Sequence, residues 1–162
     1  MKCYRAESLL EEIDVAIKDI NGFNIKNDLE KSYLAKFLVV FICGIYEEVV
    51  ETIIMEKVEK LRSPQLSTFM EQYLKVYFRN PDTENTIRLL GKFDVSWSSA
   101  IKQESKEIKD ALDSIVSNKN ALAHGSISTI TLDEVKIFYE KSRKLIEKID
   151  EVVLVDSPTV VH

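Results

Sequence analysis

Apolar residues recur at three- and four-residue spacing along nearly the whole chain, the period of amphipathic helices. A first segment, about residues 5–20, sets Ala6, Leu9, Leu10, Ile13, Ile17 and Ile20 on one face and stops at Asn21 and Gly22, a helix-ending pair. The second, about residues 28–61, is long. Its first half is apolar on most sides, and its second half narrows to Tyr46, Val50, Ile53, Ile54, Val58 and Leu61, the pattern of a helix leaving the core for solvent. Ser63 and Pro64 read as an N-cap with proline in the first turn, and Leu66, Phe69, Met70, Tyr73, Leu74 and Tyr77 then form the expected buried face. The stretch "RNPDTEN" breaks that helix. Short helices about residues 86–93 and around Trp97 and Ile101 lead into a segment about residues 106–123. The last helix opens on a capping box, Thr131 with Glu134, and turns Val135, Phe138, Tyr139, Leu145, Ile146, Ile149 and Val152 inward. The expected fold is an all-α, antiparallel bundle of about five to seven helices, one domain over residues 1–155 with a loose tail at 156–162.

Composition fits that picture and narrows the chemistry. A chain of 162 residues with 45 % hydrophobic and 30 % charged positions can bury a core without a disulfide or metal staple. Cys3 and Cys43 stand in no metal-ligand spacing, and with an N-terminus that turns acidic where a signal peptide needs apolar residues, the reading is a cytoplasmic protein. The run "FLVVFICGIY", residues 37–46, is too short to span a bilayer and reads as a central, buried helix. A net charge of -5 argues against a broad basic face for duplex DNA or long RNA, so any nucleic-acid chemistry has to be local.

The segment ending in "SNKNALAHG" holds the local chemistry. Ile108, Ala111, Leu112, Ile115, Val116 and Leu122 share one arc of a helix, and Lys119 falls near its middle, a costly place for an amine unless its head reaches water or a cleft. Asn120 and His124 are four residues apart on a neighbouring face, while Lys119 and His124 stand about 140° apart around an ideal helix. Their meeting needs the last turn to loosen, which Gly125 permits by letting the helix end in a left-handed turn. Two readings follow from the pattern. Either His124 only meets the negative end of the helix dipole while Lys119 snorkels, or a cation, an amide and an imidazole at one helix end bind a phosphodiester and move protons near neutral pH.

"NKNALAHG" resembles the motif of the HEPN superfamily of all-helical nucleotide-binding and ribonuclease domains: an arginine, commonly a polar residue after it, and a histidine after four to six intervening residues. Lys119 stands at the arginine position, Asn120 at the polar one and His124 at the histidine. "LAKFLVVFICGIYEEVVE" and "NTIRLLGKFDVSW" extend a looser resemblance to the RiboL-PSP branch over most of the chain. The resemblance implies a homodimer with two motifs close together across its interface, and a metal-independent endoribonuclease of defence or toxin-antitoxin systems, with RNA as substrate, no cofactor and an antitoxin or other protein as a further partner. In such an enzyme His124 is the general acid/base, Lys119 neutralises phosphate charge, Asn120 orients the phosphate, and Glu47 orients Lys119 or His124. A module without catalysis, binding nucleotide, RNA or a protein, is the alternative, because lysine is a point charge where arginine offers a planar fork.

Other constellations are absent from the sequence. There is no glycine-rich phosphate loop and no Cys/His zinc set, and His162 lies in the tail. Tyr73, Tyr77 and Phe78 are spaced as a core face, and would form a stacking platform only if exposed.

Overall fold

A computed structural model describes residues 1–126 and 128–155 of the chain; the expected loose tail, with His162, lies outside them. Seven helices make up these described residues, with no strand: α1 (Tyr4–Gly22), α2 (Asp28–Glu59), α3 (Pro64–Tyr77), α4 (Thr83–Gly91), α5 (Val95–Gln103), α6 (Lys106–Ala123) and α7 (Leu132–Leu154). The protein is an all-α bundle.

Local chemistry fixes most of the boundaries. Asn27, Ser63, Asp82, Asp94 and Ser105 each cap a helix by accepting a backbone N–H from the first turn. At α7 the capping box is complete: Thr131 Oγ1 accepts the Glu134 N–H, and the Glu134 carboxylate accepts the Thr131 N–H at 2.8 Å.

The start of α1 is capped from far away. Its N-cap residue, Cys3, has no capping side-chain hydrogen bond, and the carboxylate of Asp150, buried near the end of α7, accepts the Cys3 N–H at 2.9 Å and the Lys2 N–H beside it. A negative group there also meets the positive end of the α1 dipole. Asp150→Ala is expected to cost about 2 kcal/mol, the scale of a charged hydrogen bond lost at a buried site. Urea unfolding checks this: the midpoint falls, less for Asp150→Asn, and an unchanged midpoint contradicts it.

Helix α2 is the spine, with α1, α3, α6 and α7 packed on it, while α4 and α5 lean on each other and on α6 and α7. Short connections join the touching pairs α1/α2 and α6/α7, so each pair runs antiparallel. The core is aliphatic around Tyr46, whose buried hydroxyl pairs with Ser142 Oγ at 2.8 Å. Beside it Tyr139 donates to Asp14 at 2.7 Å, and Arg143 joins the same carboxylate.

Two expected faces are corrected. The second half of α2 does not leave the core: Tyr46, Val49, Val50, Ile53, Ile54 and Val58 are buried, because the start of α1 and the end of α7 flank it, with Arg5 on Glu56 and Glu59 and Lys57 on the Val155 carbonyl. It is the first half that shows apolar side chains to solvent. Leu29, Tyr33, Phe37 (52 % exposed) and Val40 (50 % exposed) form a stripe at helical spacing, so "FLVVFICGIY" is buried on one side only. Helix α3 is the other correction. Only Leu74 within it is fully buried, Phe78 follows it inward, and Phe69 and Tyr77 of the expected buried face point outward, because α3 packs on α2 alone.

Candidate functional site

Helix α6 carries the motif from the core to the surface. Ala111, Leu112, Ile115 and Val116 are buried and anchor its middle against α2 and α7. One turn further on, Lys119 is partly sheltered. Its ammonium donates to Asn80 Oδ1 at 3.0 Å and stands 4.0 Å from the Glu47 carboxylate, both side chains of the ion pair being about a quarter exposed, at 26 % and 22 %. The lysine head is therefore neither desolvated nor free, but held between α2 and the loop that joins α3 to α4.

The floor below this cation is Cys43, one turn before Glu47 on α2. Burial pushes its thiol up to about 12, against the pull of Lys119, so the sulfur stays protonated and is no nucleophile. Burial also raises the Glu47 carboxyl above its ordinary value of 4.5, while Lys119 and then Arg79 draw it back and Glu51 pushes it further up. Arg79 acts on Glu51 as well.

The sign of the resulting pH dependence follows from Glu47. A carboxyl whose folded-state pKa lies above the unfolded value keeps a proton that the unfolded chain has released, so its contribution to stability declines as pH rises above about 4.5. Glu47→Gln is expected to remove that part of the slope, measured as urea stability against pH. A slope identical to wild type contradicts the assignment.

Helix α6 ends on a Schellman motif: the Ser126 N–H reaches the Ala121 carbonyl at 2.8 Å, the Gly125 N–H reaches the Leu122 carbonyl at 3.2 Å, and Gly125 takes φ +70°. His124 is the C-cap, with its backbone N–H on the Asn120 carbonyl at 3.1 Å and its side chain exposed. Among the described residues its ring has no hydrogen bond or ion pair. Asn120 is half-buried, and its amide is likewise without a partner among them. The anchored asparagine is Asn118, which donates to the Ser114 carbonyl and accepts from Ser128 Oγ at 2.7 Å, tying the loop after the motif back onto α6.

Thus the fold brings Lys119 and Glu47 together and adds Asn80. It leaves Asn120, the next residue, and His124, five residues on, without a bond to that pair, and the helical bonding that runs to the His124 N–H keeps the last turn from loosening to join them. Asn80 escaped the sequence reading because Asn-Pro signals only a turn, and no local pattern links position 80 to position 119. A cavity of about 560 Å³ lies between the α1–α2 loop and the start of α7, lined by Ile20, Phe23, Ile25 and Lys136 among others, and shares no lining residue with the Lys119 cluster. Among the described residues no three His, Cys, Asp or Glu side chains are grouped to hold a metal ion, and no helix is long and apolar enough to cross a membrane.

The RiboL-PSP-HEPN family model matches residues 2–154, and the chain belongs to that family, whose domains are generally ribonuclease-related. No curated protein and no solved structure matches it.

Proposed function

We propose that this protein is a metal-independent endoribonuclease of a prokaryotic defence or toxin-antitoxin type system, acting as a homodimer. The observation that supports this reading is the end of α6: an exposed imidazole at the C-cap, five residues after a lysine whose ammonium Glu47 and Asn80 hold in place. His124 is the acid/base. The RNA 2′-hydroxyl loses its proton and attacks the adjacent phosphorus, the bond to the 5′-oxygen breaks, and that oxygen takes up a proton, leaving a 2′,3′-cyclic phosphate. Lys119 meets the charge that develops on the phosphate, and Asn120 orients it. Glu47 keeps the lysine head in place.

One imidazole serves poorly at both proton transfers, and the exposed stripe on α2 supports a second. Phe37 and Val40 border a shallow apolar hollow with Phe41 and Leu122, two residues before His124. A second copy seated on this hollow brings two His124 rings toward one groove. Phe37→Glu is expected to yield a monomer by analytical ultracentrifugation, with cleavage lost alongside. A variant that stays dimeric contradicts this interface.

The direct test of the activity is incubation of purified protein with mixed RNA in excess EDTA. Cleavage that survives EDTA supports the proposal; cleavage that EDTA abolishes, or none at all, refutes it. The second reading, a binding module without catalysis, is favoured by one observation: the cation at the arginine position is already engaged by Glu47 and Asn80, which leaves less of its charge for a phosphate.

A further inference from the structure

We infer that the outer face of α3 is a stacking track for the bases of single-stranded RNA, leading into the Lys119 site; this rests on the ribonuclease reading for its substrate. Phe69, Tyr73 and Tyr77 recur every fourth residue and form a continuous ladder, with ring centroids 6.2 Å apart for the first pair and 4.8 Å for the second. Its two ends are open to solvent, Phe69 61 % exposed and Tyr77 70 %, while Tyr73 between them is half-buried against the core. Leu74 and Phe78 turn the other way and hold the helix on α2. An aromatic ladder in water is costly surface for a protein to keep, and flat rings at regular spacing offer what unpaired bases stack on, whatever their sequence.

Charge and position choose RNA over a protein partner. Residues 60–92 carry six Lys and Arg against three Asp and Glu, a net of +3, in a chain whose total is -5. Helix α3 itself is neutral, its Lys75 paired with Glu71 at 2.7 Å, and the positive excess of this segment comes from Lys60, Arg62, Arg79, Arg88 and Lys92 on its flanks. Lys92 lies 5.1 Å from the Tyr73 ring centre and donates to its hydroxyl, which puts an ammonium beside the rings where a backbone phosphate would pass. The track also has a destination. Tyr77 is three residues before Asn80, which accepts from the Lys119 ammonium, so the Cα atoms of the two residues are no more than about 11 Å apart even if the chain is fully extended. A strand with its scissile phosphate at Lys119 lays its next few bases over Tyr77 and Tyr73.

Duplex RNA keeps its bases stacked on one another and has none to offer such a face, so the track selects single strands. The probe is a short fluorescein-labelled single-stranded RNA with 2′-O-methyl groups, which removes the attacking hydroxyl and separates binding from cleavage. By anisotropy, wild type is expected to bind it more tightly than the same strand in a duplex. Tyr77→Ala is expected to weaken the single-strand complex on the order of tenfold, the loss of one stacked base, while Tyr77→Phe keeps wild-type affinity. Since Tyr77 is outside the core, its variants should melt as wild type does.

Equal affinity of Tyr77→Ala and wild type overturns the track, as does equal affinity for single strand and duplex. A Tyr77→Ala protein that loses self-association with RNA affinity unchanged assigns the face to a second copy and overturns it too. The nuclease reading fails separately: binding that depends on Tyr77, in a protein that cleaves no RNA, supports the track and removes the enzyme.

Discussion

His124→Ala is expected to lower the rate of RNA cleavage by about 10²- to 10⁴-fold, the usual worth of a positioned general acid or base. The substitution is clean. His124 caps α6 through its backbone N–H, which alanine retains, and its exposed ring makes no contact among the described residues that holds the fold. Stability should stay within about 0.5 kcal/mol of wild type, as for other surface changes. Single-turnover cleavage beside thermal melting reads both quantities at once. A variant that cleaves at the wild-type rate removes His124 from the chemistry, and with it the mechanism.

The second large effect is expected at Lys119. Lys119→Ala removes the cation that meets developing phosphate charge, a loss of about 10²- to 10³-fold in rate by comparison with deleted oxyanion donors. It also strands the Glu47 carboxylate, whose charge Lys119 offsets in a partly buried place. Lys119→Arg is the sharper variant. A guanidinium can keep the Asn80 amide and present a second N–H to the phosphate, so cleavage by this variant should exceed wild type. An unchanged or lower rate shows that the lysine is not a weakened version of the family arginine. The two substitutions together separate charge from geometry, because both basic side chains are charged and only one is a fork.

The course of the helices was legible because their ends are written locally. Ser63 before Pro64, Thr131 with Glu134, and Gly125 after His124 each satisfy backbone groups within a few residues, and each stands in the structure as the pattern implies. Burial was less legible, since periodicity gives a stripe but not what covers it. The apolar stripe of α3 was read as core, yet α3 has one neighbour, and Phe69 and Tyr77 are left outside. The same limit reversed the two halves of α2: what flanks Ile53 and Val58 is the start of α1 and the end of α7, a matter of topology.

At the site, Lys119, Asn120 and His124 were singled out from one short stretch, since a single helix end carries all three. Glu47, 72 positions away, was chosen only as a carboxylate on the seam of the long helix, and the fold sets it beside Lys119. Asn80 and Asp150 had no signal at all. Each acts on a backbone or side chain far along the chain, and only the packing of α1, α3, α6 and α7 against the spine brings them into reach.

The central claim is that Lys119, Asn120 and His124 converge on one phosphodiester at the end of α6. A crystal structure with a 2′-O-methyl dinucleotide, whose attacking oxygen is blocked, tests it most directly. The phosphate is expected within hydrogen-bond distance of the Lys119 ammonium and of a His124 ring from the same or the neighbouring copy, with two His124 side chains lining one groove. A phosphate seated elsewhere, or His124 rings on outer faces of every symmetric pair, would contradict the account.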